Sequence, residues 1–230
     1  MSGIDDSTRL NKFIALHAGL SRRQADELIA AGKVSVNGVP AVIGARVQPA
    51  DAVTLHGKLV STETELQYIM LNKPAGYVCS RRAQGDNPTI YSLLPHEFHA
   101  LKPVGRLDRD SSGLILLTND GDFALQMTHP RYAKTKRYEV TLDNPLEPLY
   151  QQMISDFGVT LEDGKSRLTL ERQSDDRKEW IVIMSEGRNR QIRRTFAALG
   201  YTVIKLHRTN FGNYTLGTLE QGKFTPTSAR

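Results

Sequence analysis

The chain has 230 residues, of which 39% are hydrophobic and 24% are charged. This balance is typical of a soluble globular protein with one large or two unequal domains, and it excludes a mostly disordered chain. No apolar run approaches the roughly 18 residues of a transmembrane helix, and the acidic start, Met1 to Asp6, is unlike a secretory signal. The single cysteine, Cys79, excludes an internal disulfide and a cysteine-based zinc cluster. It fits the reducing cytoplasm, which is the predicted location.

Basic residues are in excess. The 30 lysines and arginines outnumber the 25 acidic residues, which gives a formal net charge of +5. The excess is concentrated near the start, because residues 9–60 carry seven basic and three acidic side chains. A basic balance favours a polyanion such as nucleic acid as the partner, although many basic proteins bind none.

The first segment is predicted to contain two short helices and a hairpin. Apolar residues at three- and four-residue spacing predict a helix over Leu10–His17, which Gly19 ends. Ser21 is expected to cap a second helix over Arg22–Ala31. The predicted strands are Val34–Val36, a return strand that begins at Val42 after the Asn37-Gly38 turn, and Val53–Leu55.

Two arginines, Arg22 and Arg23, stand at the start of the second helix, where cations oppose the helix dipole. A bound phosphate would relieve that conflict and would accept hydrogen bonds from the free backbone N–H groups. A solvated helix end is the alternative interpretation. From the residues alone, both remain open.

The string RLNKFIALHAGLSRRQADELIAAGKVSVNG closely resembles the RNA-binding module first described in a small-subunit ribosomal protein, the S-four-like domain. The resemblance covers about residues 8–60, and by itself it implies RNA binding but no chemistry. Residues 61–66 are predicted to be a linker, with a second domain over 67–230. The RNA contacts that the resemblance implies are Arg9, Lys12, Ser21, Arg22, Arg23 and Lys33.

From Leu66 onward, strands and helices mix without a strict alternation. Several strands with intervening helices predict an α+β domain with a mixed or antiparallel sheet, and not a doubly wound fold. The predicted strands are Tyr68–Leu71, Leu114–Thr118, Arg137–Leu142, Arg167–Leu170, Trp180–Met184 and Val203–Leu206. The predicted helices include Phe123–Met127, Leu149–Phe157 and Arg190–Leu199.

Common cofactor and metal motifs are absent from the sequence. It has neither a GxxxxGK[ST] phosphate loop nor a GxGxxG turn after a strand, so no nucleotide cofactor is predicted. His96 and His99 follow Pro95 at a spacing one residue short of a zinc-protease helix, and we interpret them as surface or loop histidines. We therefore predict no metal and no cofactor.

Three basic clusters remain as candidates for chemistry. The first, Gly105–Gly113, precedes a predicted strand, and within it Arg106 and Arg109 flank Asp108. A carboxylate held ionised beside cations serves as a nucleophile or a base, or is half of a structural ion pair. The residues alone leave these three roles open.

The second cluster, Glu186–Arg194, has four arginines in seven positions at a predicted helix start. Arg190, Arg193 and Arg194 lie within one turn of each other, so we expect them to form one cationic surface. Such a surface is either a solvated face or a phosphate contact.

The third cluster, His129–Tyr138, interleaves four basic residues with two tyrosines. This mixture suits neutralisation of an RNA backbone together with stacking on an unpaired base. Core packing is the alternative for Tyr138, which alternates with Val140 on its predicted strand.

Taken together, the clusters resemble the pseudouridine synthases of the RsuA type. The motifs that carry the resemblance, in their usual order, are Lys73-Pro-x-Gly76, GRLDRDSSGLILLTNDG, KRYEV, EGRNRQIRR and Leu206-His-Arg208. The resemblance covers nearly the whole chain, with the S-four-like module in its usual N-terminal place. It implies isomerisation of a uridine in RNA: the bond from ribose to nitrogen 1 breaks, and carbon 5 is joined to the same ribose.

The resemblance also implies the site residues. Asp108 would be the essential carboxylate, acting on the ribose carbon or on the base, with Arg193 as its cationic partner. The uridine must leave its helix to be reached, and Tyr138 would pack on the flipped uracil and assist proton removal at carbon 5. The residues predicted to bind the substrate are Arg106, in the vacated stack, Leu206, in the apolar wall, Lys73 and Arg190.

Two other functions remain as alternatives. A catalytically silent RNA-binding or ribosome-assembly protein could share this scaffold. A glycoside hydrolase could use Asp108 and Asp110, although alternate residues on an extended chain point apart. The resemblance implies ribosomal RNA or a pre-ribosomal particle as the partner of a monomer that needs no membrane. The residues of two motif stretches, Arg109–Ser112 and Arg188–Arg194, are more similar to those of the large-subunit enzymes than to those of the small-subunit enzyme. They predict a target in the large-subunit RNA.

Overall fold

The structure, a computed structural model, describes residues 6–81 and 85–229. Residues 1–5, which carry most of the argument against a secretory signal, lie outside this range. The chain forms two compact units: the first ends at Leu66 and also includes Asn119–Gly121, and the second comprises the rest. The predicted linker, 61–66, is therefore part of the first unit, where Thr64 Oγ1 is 2.9 Å from His17 Nδ1.

Two helices and a small antiparallel sheet make up the first unit. Helix α1 is Leu10–His17 and α2 is Arg22–Ala30, close to the predicted bounds. A complete capping box at Ser21 and Gln24 starts α2. The strands are β1 Thr8–Arg9, β2 Val34–Val36, β3 Val39–Pro40, β4 Arg46–Val47, β5 Val53–Leu55 and β6 Lys58–Leu59. Strands β3-β2-β5-β6 form one sheet, and β1 pairs with β4.

The hairpin after α2 is tighter than the sequence predicted. Asn37 and Gly38 have left-handed φ angles of 51° and 79°, as a two-residue hairpin turn requires. This turn pairs Val36 directly with Val39, so β3 is the return strand. Val42 lies beyond it and is 70% exposed, and the prediction that the strand begins there is wrong.

The second unit is built on one large mixed sheet. Its strands are β7 Tyr68–Lys73, β8 Lys102–Val104, β9 Ser112–Thr118, β10 Lys136–Leu142, β13 Thr169–Arg172, β14 Glu179–Met184, β15 Val203–Phe211, β16 Tyr214–Thr215 and β17 Phe224–Pro226. Their order is β13-β14-β10-β15-β9-β7-β17, with β8 beside β9 and β16 beside β15. All pairs are antiparallel except β15 with β9. The predicted α+β class with a mixed sheet is confirmed.

A separate hairpin and three helices complete this unit. The hairpin pairs β11 Val159–Leu161 with β12 Gly164–Ser166. The helices are α3 Gly121–Thr128, α4 Pro148–Gln152, which continues as a π-helical segment over Met153–Phe157, and α5 Gln191–Ala197. Short 3-10 helices span Ile90–Leu93, His96–Ala100 and Pro130–Tyr132. Helix α5 begins one residue later than predicted, because Arg190 is left-handed, with a φ of 46°.

Strand β9 lies inside the sheet between β15 and β7, and all seven of its residues are buried. Ile115 and Leu117 pack into one hydrophobic cluster, whereas Leu114 and Leu116 pack with Phe123 into another. Burial on both faces explains why this strand reads as a continuous apolar run. The strand therefore gives a firm base to the loop that precedes it, residues 105–111. Within the described residues, no helix has the length and apolar character needed to cross a bilayer.

Candidate active site

The loop between β8 and β9 carries Asp108. Leu107 anchors it, since its side chain is 7% exposed and packs in the larger cluster. The Ser111 N–H donates to the Asp108 carbonyl at 3.1 Å, so the chain turns sharply at this point. The Asp108 carboxyl is 32% exposed and the Asp110 carboxyl 40% exposed. Both acids therefore lie at the surface of a rigid turn.

Asp108 and Asp110 share one guanidinium. Arg190 donates from Nη1 and Nη2 to the two oxygens of Asp110, each at 2.9 Å. Its Nη1 is also 3.6 Å from Asp108 Oδ2. The expectation that the two carboxylates point apart is wrong, because the chain between them is a turn and not an extended segment.

Arg193, the predicted partner of Asp108, makes its direct contacts elsewhere. Its Nε is 3.3 Å from Asp110 Oδ2, and its Nη groups donate to the carbonyls of Asp110 at 2.9 Å and Val203 at 2.6 Å. Arg193 acts on Asp108 through space, whereas Arg190 forms an ion pair with Asp108. The hydrogen bonds from Arg190 hold the pKa of Asp110 below its usual range, and burial lowers the pKa of Arg193.

Lys73 lies beneath the loop and is fully buried. Its Nζ donates to the carbonyls of Ser111 at 2.6 Å, Pro74 at 2.9 Å and Arg109 at 3.5 Å. Burial lowers the pKa of Lys73 to about 8. These hydrogen bonds hold the loop from below, and the contact of Lys73 with the substrate stays a prediction.

Two further contacts fix the same loop. The Gly76 N–H donates to the Arg109 carbonyl at 2.6 Å. Cys79 Sγ donates to the Leu107 carbonyl at 3.3 Å and accepts from the Leu107 N–H at 3.4 Å. Lys73, Gly76 and Cys79 thus hold the backbone of the loop that carries Asp108.

The arginine run does not form the single cationic surface predicted for it. Arg190 and Arg193 turn toward Asp110, whereas Arg194 binds Asp163, with Nη2 2.6 Å from Oδ2. Two different carboxylates thus divide the run. The sequence spacing placed the three guanidinium groups near each other, but their directions depend on acids 31 to 83 residues distant along the chain.

Apolar and aromatic side chains pack beside the loop. Tyr138 and Leu206 are each 7% exposed and share the larger cluster with Leu107. Core packing, the alternative for Tyr138, is therefore part of its role. Arg106 is exposed, as a residue that enters an RNA stack must be.

Two buried contacts between β9 and β15 escaped the sequence analysis. Arg208 is 2% exposed, donates from Nε to the Leu114 carbonyl at 2.8 Å and lies 4.8 Å above the Phe211 ring. A Cβ at Gly113 would lie 2.2 Å from the Arg208 carbonyl oxygen. Arg208 stood in the Leu206-His-Arg208 motif, but no role was predicted for its side chain. Asp110 was named only as a candidate acid of the glycoside-hydrolase alternative, and Asp163 had no signal of its own.

The family pattern described as RNA pseudouridylate synthase matches residues 67–198, more than half of the chain. The chain belongs to this family. The pattern of the S4 domain matches residues 8–53. The predicted RsuA-type pseudouridine synthase with an N-terminal S-four-like module is confirmed, and with it the enzyme class.

Some relatives of this pseudouridine synthase are named for the small ribosomal subunit and others for the large subunit. The chain is 40% identical to ribosomal small subunit pseudouridine synthase A of Pasteurella multocida, over 96% of each chain. It is 38% identical to ribosomal large subunit pseudouridine synthase B of Bacillus subtilis, over 93% of this chain and 89% of the relative. A crystal structure of a pseudouridylate synthase matches with a TM-score of 0.68 and 38% identity, over 96% of each chain.

In the S4 domain, the predicted RNA contacts lie on β1, α1, α2 and the turns beside the helices. Arg9, Arg22, Arg23 and Lys33 are exposed. Ser21 has the structural role that was also predicted for it, since its hydroxyl accepts from the Gln24 N–H at 3.2 Å. Arg22 donates to Asn11 Oδ1 at 3.3 Å.

The histidines of the synthase unit are not arranged as metal ligands. His96 and His99 lie in a 3-10 helix with ring centroids 5.2 Å apart, and His99 Nε2 is 3.1 Å from the Leu94 carbonyl. Across residues 6–81 and 85–229, no group of three or more histidine, cysteine or acidic side chains is placed to bind a metal ion.

Proposed function

We propose that this pseudouridine synthase isomerises a specific uridine of ribosomal RNA and that Asp108 is its catalytic carboxylate. The observation that carries the proposal is the turn at 107–111. It presents Asp108 partly exposed, 3.6 Å from Arg190, on a loop that Lys73 and Cys79 hold from below. A nucleophile or base needs this combination of access, a nearby cation and a fixed position.

The reaction is an isomerisation, so its atoms balance within one nucleoside. The N1–C1′ bond breaks, the uracil turns, the C5–C1′ bond forms, and C5 loses a proton while N1 gains one. Asp108 acts on the ribose carbon or on the base while the two parts separate. The hydrogen bonds from Arg190 hold the pKa of Asp110, the neighbour of Asp108 on this turn, below its usual range. No oxidant, reductant or nucleoside triphosphate enters this balance.

The substrate nucleotide must leave its stack to reach Asp108, which costs a few kcal/mol. Arg106, exposed on the same loop, is placed to occupy the vacated position. Tyr138 would offer its edge or face to the uracil and would assist removal of the C5 proton. Leu206 would shield the base from water, in keeping with its burial beside Leu107.

Ribosomal RNA is favoured because relatives that cover nearly the whole chain are named as ribosomal pseudouridine synthases. Their identities of 40% and 38% are almost equal for the small-subunit and large-subunit enzymes. The large-subunit target that the motif residues predict stays a prediction. The protein is proposed to act as a cytoplasmic monomer on rRNA or a pre-ribosomal particle.

The test is to incubate the protein with unmodified rRNA of each subunit, as free transcripts and as assembled particles, and to map pseudouridine at single-nucleotide resolution. We expect one position, or one small group of positions, to be modified in one of the two rRNAs. Modification of the large-subunit RNA alone would support the finer prediction. The absence of pseudouridine from all four substrates would overturn the proposal in favour of a catalytically silent RNA-binding protein.

The S4 domain is proposed to hold the RNA backbone. Replacing Arg22 and Arg23 together by alanine should weaken RNA binding and flatten its dependence on salt, since each phosphate contact contributes roughly 0.7 to 0.9 to the slope of log K against log salt. Two lost contacts should reduce the slope by about 1.5. Binding is measured by fluorescence anisotropy between low and moderate salt.

Lys58→Ala is the control for that experiment, because Lys58 is exposed on the same unit and is not among the predicted contacts. Its salt slope should stay at the wild-type value. If the double variant keeps the wild-type slope as well, the arginines belong to a solvated helix end.

A further inference from the structure

The loop that carries Arg190, residues 185–190 between β14 and α5, is held in an unfavourable backbone conformation. Arg190 has a φ of 46°, a left-handed conformation that is unfavourable for a residue with a Cβ. That conformation directs the guanidinium onto Asp110 and Asp108. Surrounding contacts must therefore hold the loop in place.

One carboxylate outside the catalytic loop binds the arginines on both sides of Arg190. Asp163 lies at the turn of the β11–β12 hairpin, and its Oδ1 accepts from Arg188 Nη1 at 2.8 Å and from Arg194 Nη1 at 3.1 Å. Its Oδ2 accepts from Arg194 Nη2 at 2.6 Å. Asp163 thus ties together the two sides of the segment in which Arg190 is left-handed.

Backbone groups of the same hairpin complete this clamp. Arg188 donates to the carbonyls of Asp163 at 3.0 Å, Gly164 at 3.1 Å and Lys165 at 2.9 Å. Ser166 Oγ accepts from Gln191 Nε2 at 3.1 Å, at the first residue of α5. The hairpin therefore fixes both the loop and the start of the helix.

We propose that Asp163 is a positioning residue for the isomerisation: by binding Arg188 and Arg194, it fixes Arg190 against Asp108 and Asp110 and withdraws two arginines from the RNA. This inference rests on the proposed function. It explains why only two of the four arginines bind the acids of the loop that carries Asp108. Two guanidinium groups are neutralised on the hairpin side, and two remain on the catalytic side.

The clamp requires a charged acceptor. An ionised carboxylate accepts hydrogen bonds at both oxygens, whereas an amide in its place would turn an NH₂ group toward a guanidinium. The hydrogen bond from Arg194 holds the pKa of Asp163 below its usual range, so the clamp is charged at neutral pH. Without it, Arg194 loses its carboxylate partner and is released to bind an RNA phosphate, whereas Arg188 keeps its backbone hydrogen bonds and its ion pair with Glu186 at 3.5 Å. The loop then lacks the link between Arg188 and Arg194, and Arg190 loses its fixed direction.

The test is Asp163→Asn in the full-length protein, with steady-state kinetics on the rRNA that the wild type modifies. We expect kcat to fall about 10- to 100-fold, because misplacement of a catalytic group by about 1 Å has effects of this size. KM should stay the same or fall. The salt slope of RNA binding should steepen by about 0.7, since the released Arg194 adds roughly 0.7 on single-stranded RNA.

Asp175→Asn is the matched control. Asp175 is fully exposed on the same unit and makes one ion pair with Arg172 at 3.8 Å, so the variant removes the same charge without touching the loop. It should keep the wild-type kcat and salt slope. Asp163→Glu, which restores the carboxylate, should recover part of the lost kcat and return the salt slope toward the wild-type value.

The opposite movement of kcat and RNA affinity separates positioning from general destabilisation. A variant that only loosens the fold would lower the melting temperature and weaken RNA binding at an unchanged salt slope, and that result would overturn the proposal. An unchanged kcat in Asp163→Asn would overturn it as well. If the wild type itself forms no pseudouridine, the proposed function is wrong. If the wild type is active and Asp163→Asn keeps its kcat, only the positioning role of Asp163 is wrong.

Discussion

Asp108→Asn should abolish pseudouridine formation and leave RNA binding intact. The amide has nearly the same shape and can stay near Arg190, but it is neither a nucleophile nor a base at neutral pH. A residue that forms or breaks bonds typically accounts for a factor of about 1,000 or more in rate. We expect single-turnover rates at least about 1,000-fold below wild type, measured as pseudouridine formed in the target rRNA.

RNA affinity should not fall in this variant, because a negative charge is removed from a surface that meets phosphates. Asp175→Asn, which removes an exposed carboxylate distant in sequence from the catalytic loop, should keep full activity. Turnover by Asp108→Asn near the wild-type rate would contradict the catalytic assignment. Loss of both turnover and binding would show instead that the substitution disturbs the loop.

Gly113→Ala should give the largest loss of stability. Gly113 has a φ of +106°, and a Cβ there would lie 2.2 Å from the carbonyl oxygen and 2.5 Å from the nitrogen of Arg208. Both atoms are backbone of β15, so no side chain can move aside. The strain and the overlap together should cost about 4 kcal/mol or more.

A loss of that size corresponds to a fall in melting temperature of roughly 10–15 °C for a chain of this length. Calorimetry and circular dichroism measure it, and activity should fall too, because β9 leads directly from the catalytic loop. Gly121→Ala is the control, since nothing lies within 4 Å of its added Cβ and its φ is not left-handed. A melting temperature of Gly113→Ala within about 2 °C of wild type would refute the close approach of β9 to β15.

The elements that the sequence predicted well are those with local causes. The bounds of α1 and α2 follow from apolar spacing, Gly19 and the Ser21 capping box, all of which act within a few residues. Strand β9 was found because burial on both faces leaves a continuous apolar run. Val42 was misplaced because the strict geometry of a two-residue turn prevailed over β propensity.

The electrostatics of the site were predicted less well. Arg193 was expected to pair with Asp108, and the support that Lys73 gives to the loop was not predicted. In the structure, Arg190 reaches Asp108 and Lys73 is fully buried under the loop. Motif resemblance identifies which residues lie at a site. It does not predict their hydrogen-bond partners, because a guanidinium or ammonium group on a long side chain can bind any acceptor that the fold places within reach.

By itself, the sequence determined the family, the S4 domain, the mixed-sheet class and Asp108 as the candidate carboxylate. These follow from contiguous motifs and local periodicity. Only the tertiary structure decided how four arginines are divided between Asp110 and Asp163, and that Lys73 supports the loop from within. Arg190 and Asp110 are 80 residues apart, so their ion pair exists only once β9 and α5 have been brought together by packing. Contacts of that kind depend on side-chain directions across the whole fold, which no local pattern encodes.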